Sequence, residues 1–360
     1  MSFSPSYTIT IAIAQNLVAI ETGKKQFESI PMNATLLSSL RKSARLASTH
    51  YSTQIEGNRL TMEQVTNVIT TKKGGGLPGR ERDEKEVVNY YKALEYLETK
   101  NNKPLTETTI QTLHGLVLNG RKSASAYREG QNVIKDGLSG AIVYMPPEAS
   151  DVSRLMSELV SWIDTSLKNG KIPVPIIAAL AHYQFATIHP YYDGNGRAAR
   201  LITNYILHYG GYGLKGIYSL EAYYAKNLQG YYDALAVEDI PNYYMGRAQA
   251  DLTDFLEYFM KGMAISFTNI VASSKENSSP SLQDNSKTLR ELSAKQRMAL
   301  DLFLQQKEIT NTDLAQHLGI SKRSAATLLK KWLENEFLII GNPSNKARSY
   351  RLNHKWEQLF

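Results

Sequence analysis

Cysteine is absent from the 360-residue chain, which excludes disulfides and every cysteine-ligated metal centre. Long apolar runs are missing as well. The best candidate, residues 9–20, is interrupted by Gln15 and Asn16, has no basic leader and is too short to span a bilayer. A cytoplasmic protein is therefore expected. No internal repeat is visible. The glycines at 74–76 are not followed by a lysine and serine at phosphate-loop spacing, so residues 74–79 read as a flexible loop. Hydrophobic residues make up 42% of the chain, enough for the cores of two or three domains.

The chemistry is concentrated in residues 189–200, HPYYDGNGRAAR. Upstream, Ile176, Ile177, Leu180 and Tyr183 recur at helical spacing, and Pro190 cannot continue that helix, so His189 falls at a helix end. Downstream, Leu201, Ile202, Tyr205, Ile206 and Tyr209 predict a second amphipathic helix, closed at Gly210 and Gly211 where a left-handed cap is favoured. Glycines at 194 and 196 let the backbone around Asn195 turn inward at that helix's N-terminus. Unpaired N–H groups and the helix dipole make such a place a phosphate cradle. Arg197 and Arg200 lie three apart on one face, and the planar guanidinium fork suits phosphate oxygens. Asp193 beside phosphates is placed to hold hydrated Mg2+ through one carboxylate. A calcium loop is the sharpest rival. It fails because Arg197 stands where a third oxygen ligand belongs and Asn204 where the bidentate glutamate belongs.

This string resembles the Fic family motif, HxFx(D/E)GNGRxxR, at every defined position but one: Tyr191 replaces the usual phenylalanine, and its hydroxyl needs a partner if buried. The resemblance implies a nucleotidyltransferase that moves AMP from ATP to a Ser, Thr or Tyr hydroxyl of a target protein. It assigns His189 as general base, Asp193 as Mg2+ ligand, Gly194, Asn195 and Gly196 as anion hole, and Arg197 and Arg200 as holders of the outer phosphates of ATP.

Three further strings resemble the same family. Residues 52–58, STQIEGN, fit the pattern (S/T)xxxE(G/N) of an inhibitory helix. Ser52 and Glu56 lie four apart on one face, and Glu56 would occupy Arg200, the cation that the γ-phosphate needs. Gly57 and Asn58 would end the helix. Residues 127–147 read as a hairpin with a glycine-containing loop at 135–140, resembling the family's flap, on whose 131–147 edge a target backbone docks as an added strand. Prolines 146 and 147 cannot donate, so the accepting edge is the earlier backbone. Within residues 219–235, the second tyrosine pair matches YYxxL; the resemblance carries Tyr232 to the adenine and leaves Tyr231 in the core.

The expected fold is mainly α: a Fic-type helical core with a small β-hairpin flap, an N-terminal helical region and a C-terminal winged helix-turn-helix. The expected divisions are 1–104 (inhibitory helix at about 45–58), 105–272 for the core and following helices, a linker at 273–287, and 288–360. Residues 285–360 carry 13 Lys plus Arg against 7 Asp plus Glu, +6 of the chain's +7. Their pattern is helix, helix, turn at Gly319, helix, then strand-like runs at 338–340 and 349–352. Thr312 and Ser321 read as the N-caps of its second and third helices. Lys322, Arg323, Lys330 and Lys331, with Lys346, Arg348 and Arg351, suit phosphates, and the serine-rich linker predicts a module that folds alone.

Two functions of different class follow: an autoinhibited AMP transferase, or a DNA-binding regulator whose core only senses nucleotide. His189 separates them, because a sensor needs phosphate ligands but no base. Removal of AMP, with Glu56 activating water, stays open, as do oligomerisation and whether the C-terminal module contacts DNA or protein.

Overall fold

The computed structural model describes residues 3–71, 77–100, 103–135, 139–237, 240–277, 286–344, 347–357 and 359. The N-terminal region supplies α1 (Ile11–Glu28), α2 (Ala34–Ile55), α3 (Met62–Thr70) and α4 (Glu81–Lys100). Then come α5 (Glu107–Asn119), the hairpin β1 (Ile134–Lys135) and β2 (Ile142–Tyr144), and α6 (Ala149–Asn169), α7 (Val174–Ile188) and α8 (Asn195–Tyr209). After α9 (Glu221–Lys226), α10 (Leu228–Ala236) and α11 (Thr253–Asn277) follow α12 (Ser286–Glu291), α13 (Ala294–Phe303), β3 (Ile309–Thr310), α14 (Asn311–His317) and α15 (Lys322–Glu334). The chain finishes with β4 (Leu338–Ile340), β5 (Ser349–Leu352) and α16 (His354–Glu357). The fold is mainly helical, as expected.

Packing divides the chain into two compact units, Met1–Lys25 with Ala44–Val271, and Gln26–Ser43 with Ala272–Phe360. In the larger unit α7 and α8 form the centre, packed against each other, with α5 and α4 against α8 and α6 against α7. Almost every residue of α7 is buried, as its apolar composition requires, and prolines at its first turn need no N–H there. α8 buries its 197–207 stretch and ends at the expected glycines, Gly210 with negative φ and Gly211 as the left-handed residue. Leu46, Leu60, Val65, Val68 and Val87 form a satellite cluster that fixes α2 and α3 against α4.

The smaller unit holds an antiparallel sheet in the order β3-β5-β4. The two strand-like runs read from the sequence coincide with β4 and β5, whereas β3 went unseen because it is only two residues long. α15 buries Ala325, Leu329 and Trp332, and Trp332, Phe337 and Trp356 meet edge to face. Ser321 caps α15, accepting from the Ser324 N–H. The cap of α14 is Thr310, not Thr312: Thr310 closes β3, and its hydroxyl accepts from Asp313 N while the Asp313 carboxylate accepts from Thr310 N. Thr312 lies inside the first turn.

Two boundaries differ from the sequence reading. α11 continues to Asn277, so the expected linker begins inside a helix; residues 278–285 lie outside the described residues. The smaller unit also takes in residues 26–43, and Ala34 N donates to Leu359 O at 2.7 Å. Residues 288–360 therefore do not comprise that unit alone.

Candidate active site

α7 ends at His189, which takes a left-handed conformation (φ 51°) while its N–H closes the helix on Phe185 O. The Nδ1 atom lies 3.2 Å from Ala186 O; a carbonyl can only accept, so Nδ1 carries the proton and Nε2 keeps a free lone pair. Burial lowers the imidazole pKa below its usual 6.5, the Ala186 bond opposes this, and nearby Arg128 lowers it further. At neutral pH His189 is therefore an uncharged base.

The following loop is held from three sides. Tyr191 is buried and stacks flat on His114, 3.5 Å between ring centroids at 6°. This stacking places the ring. The tyrosine hydroxyl expected to need a partner has none among the described residues, and burial pushes its pKa up. His114 Nε2 donates to Asp193 O at 2.8 Å. The Asn195 amide accepts from Tyr191 N (3.0 Å) and donates to Tyr191 O (2.7 Å), so that side chain staples the loop and its backbone N–H is what remains for an anion. The first bond within α8 runs from Ala198 N to Gly194 O, so the N–H groups of Asn195, Gly196 and Arg197 have no intrahelical acceptor. Gly194 adopts φ 79°, and a Cβ there would stand 3.3 Å from His114 Nε2.

Above this N-terminus sits Glu56. A Cβ at Gly196 would lie 2.5 Å from Glu56 Oε1 and 3.3 Å from Arg200 Nη1. Arg200, 2% exposed, donates from Nη2 to Glu56 Oε1 (2.8 Å) and Ser52 O (2.9 Å), and from Nε to Ser52 Oγ (2.8 Å). Burial opposes its charge, but Glu56 and neighbouring tyrosines hold its pKa above the ordinary value. Its Nη1 is buried and makes no hydrogen bond among the described residues. Arg197 is paired twice, Nη1 to Glu86 Oε1 (2.5 Å) and Nη2 to Asp193 Oδ1 (3.0 Å), while its buried Nε is also without a bond there.

Tyr231 is in the core. Its hydroxyl lies 2.8 Å from His182 Nε2, and His182 Nδ1 lies 2.8 Å from Thr203 Oγ1, whose proton is already given to Ala199 O. His182 thus donates to Thr203 and accepts from Tyr231. Burial drives its pKa down to about 3, with Arg200 adding to the effect, so it stays neutral. Tyr232 is half-exposed, its hydroxyl 3.5 Å from Ile55 O at the end of α2.

The hairpin beside the site is antiparallel, Ile134 opposite Tyr144 and Lys135 opposite Ile142; residues 136–138 lie outside the described residues. Arg128 ties it to the loop after α7: Nε donates to His189 O (3.0 Å), Nη1 to Gly130 O (3.0 Å) and Nη2 to Pro147 O. Beyond β2, Met145 N donates to Pro241 O and Met145 O accepts from Tyr243 N, so the residue after the second strand is already paired. Sequence reading assigned no role to Arg128, His114, Glu86 or His182. Arg128 lies within the 127–147 string, but nothing local signals its partners or those of the other three.

Residues 104–207 match the Fic/DOC family. Proteins named protein adenylyltransferase Fic are similar: that of Nematostella vectensis is 30% identical over 195 residues (52% of this chain, 43% of the relative), and that of Drosophila grimshawi 29% over 203 residues (55% and 40%). The chain spans less than half the length of these relatives. Among solved structures, a Fic family protein from Desulfovibrio desulfuricans G20 superposes with TM-score 0.62 at 26% identity, covering 98% of this chain and 99% of that one. A Fic domain containing signaling protein from Bacteroides thetaiotaomicron shares the fold (TM-score 0.61, 24% identity, 73% and 98% covered).

Proposed function

We propose that this chain, in which residues 104–207 are a Fic/DOC domain, is a protein adenylyltransferase held in check by its own Glu56. The observation that carries the reading is the pairing of a neutral His189 with a helix N-terminus whose arginine is met by a carboxylate from α2's end. His189 Nε2 takes the proton of a Ser, Thr or Tyr hydroxyl; the oxygen attacks the α-phosphorus of ATP; the bond to the bridging oxygen breaks and pyrophosphate leaves. The N–H groups at 195–197 receive phosphate oxygens, and Arg197 and Arg200 the outer phosphates. Tyr232 lines the adenine end.

Asp193 fits a magnesium ion held by one carboxylate and the nucleotide's phosphates. Its side chain is well exposed, and its hydrogen bonds go through Oδ1 alone, leaving Oδ2. Among the described residues no group of three or more His, Asp or Glu could cage a metal by itself. The ion would neutralise phosphate charge. The target backbone is read as docking along the 131–147 hairpin, where Ile142 and Val143 are exposed. Labelled ATP incubated with the chain and cell lysate, followed by mass spectrometry of proteins carrying AMP, tests the activity; absence of any AMP-modified hydroxyl, including on the chain itself, refutes it.

The base also sets a pH dependence. Because burial lowers the His189 pKa, the base is neutral above it and transfer is lost as pH falls through it. A kcat/KM profile of the Glu56→Gly variant is expected to show an acid limb with its midpoint below 6.5; a midpoint above that value contradicts the assignment.

The smaller unit is read as a winged helix-turn-helix able to contact DNA. α15 exposes Lys322, Arg323, Lys330 and Lys331 around the short Ala326 and Thr327, whereas Arg351 is already paired with Glu308 and Lys346 lies outside the described residues. Affinity of the full chain for a short duplex is expected to fall with salt by a log–log slope of about 0.9 per phosphate contacted, and replacing Lys322, Arg323 and Lys330 by alanine to flatten it by about three. Fluorescence anisotropy at several salt concentrations checks this; a slope unchanged by the triple substitution refutes it.

A further inference from the structure

Glu86 sits on α4, remote in sequence from both strings that define the site, yet its two oxygens reach both. Oε1 accepts from Arg197 Nη1 at 2.5 Å, and Oε2 accepts from the Asn58 side-chain amide at 2.9 Å. Asn58 is two residues beyond Glu56 and is itself buried. It anchors the turn that follows α2: its amide also donates to Asp83 O, its Oδ1 accepts from Leu60 N, and its own N–H donates to Thr53 O. The backbone N–H of Glu56 donates to that same Thr53 carbonyl. The carboxylate thus bridges the turn carrying Glu56 to the first arginine of α8.

We propose that Glu86 is a positioning residue that couples Arg197 to the seat of Glu56: Arg197 turns to a phosphate only as Glu86 lets go, and the same release loosens Asn58 and frees Glu56 from Arg200. The two arginines then change partners together. This rests on the reading of Arg197 and Arg200 as phosphate ligands and of Glu56 as an inhibitor. A carboxylate that only braced α4 against α8 would have no reason to hold Asn58 with its second oxygen. Burial raises the Glu86 pKa, and the nearby carboxylates of Glu56 and Asp193 add to this, against the bonds from Asn58 and Arg197. The bonds from Asn58 and Arg197 favour the charged form of Glu86.

The experiment uses the full chain with Mg2+ and ATP and reads AMP incorporation alongside melting temperature. Asn58→Ala is expected to raise labelling about tenfold over wild type, the size expected when one hydrogen bond to a charged group is lost. Glu86→Ala cuts the same link from the other end and is expected to raise labelling too. In the Glu56→Gly background neither substitution should add to the gain. A bracing role alone would lower the melting temperature without any gain in labelling. Wild-type labelling by both variants, or a full additional gain in the Glu56→Gly background, overturns the coupling while leaving the inhibitory role of Glu56 intact. Equal labelling by wild type and Glu56→Gly removes the inhibitory role, and the coupling falls with it.

Discussion

Replacing His189 by alanine is expected to lower AMP transfer about a hundredfold to ten-thousandfold, the range over which a positioned general base contributes. ATP affinity should change little, because the groups read as phosphate ligands are the N–H groups of α8 and the two arginines. The residue also caps α7 in a left-handed conformation, which alanine adopts at some cost and asparagine tolerates. His189→Asn is therefore the matching control, with the same loss of transfer and a smaller loss of stability. Single-turnover rates with labelled ATP in the Glu56→Gly background measure the effect; transfer within tenfold of the parent would assign the proton to another group.

Glu56→Gly is expected to act in the opposite direction. The carboxylate is 2.8 Å from an arginine that is almost entirely enclosed, and a hydrogen bond between charged groups contributes about 1.5–3 kcal/mol. Each 1.4 kcal/mol is a factor of ten, so labelling should rise about ten- to a hundredfold. Stability should fall at the same time, because Arg200 loses the carboxylate that answers its charge, and saturating ATP should restore the melting temperature. Adding Arg200→Ala should abolish the gain. Equal initial rates of label incorporation by wild type and Glu56→Gly would remove the inhibitory segment from the mechanism.

The helix–loop–helix corner at 189–200 was legible because everything that shapes it is local: a proline that stops one helix, glycines that open the next, and apolar residues at helical spacing on both sides. The hairpin and the strands at 338–340 and 349–352 were legible for the same reason. The contacts that fix the corner in place were not. His114 meets Asp193 across 79 residues, Arg128 meets His189 across 61, and Arg197 meets Glu86 across 111. No periodicity links such pairs. Ser52 and Glu56 were placed against Arg200 by family likeness rather than by spacing, since 144 residues separate Glu56 from that arginine. The unit made by residues 26–43 with the C-terminal part escaped notice because composition marks linkers and charge shifts, not which distant helices share a core. Thr312 is of a residue type that caps helices, yet it lies inside the first turn of α14. Thr310 wins because its partner Asp313 completes a reciprocal pair with its backbone and hydroxyl.

At Gly196 a single added methyl carbon would already collide with the Glu56 carboxylate. If the phosphates of ATP take the place over this helix end proposed for them, the Glu56 carboxylate and the polyphosphate compete for it, and mass action sets the occupancy. On the proposed reading of Glu56 as an inhibitor, the brake would have a threshold: as ATP rises past its apparent dissociation constant for the resting chain, the share of molecules with Glu56 displaced would climb with it. Such a chain would respond to the size of the cell's nucleotide pool, falling silent when ATP is scarce and acting when it is plentiful.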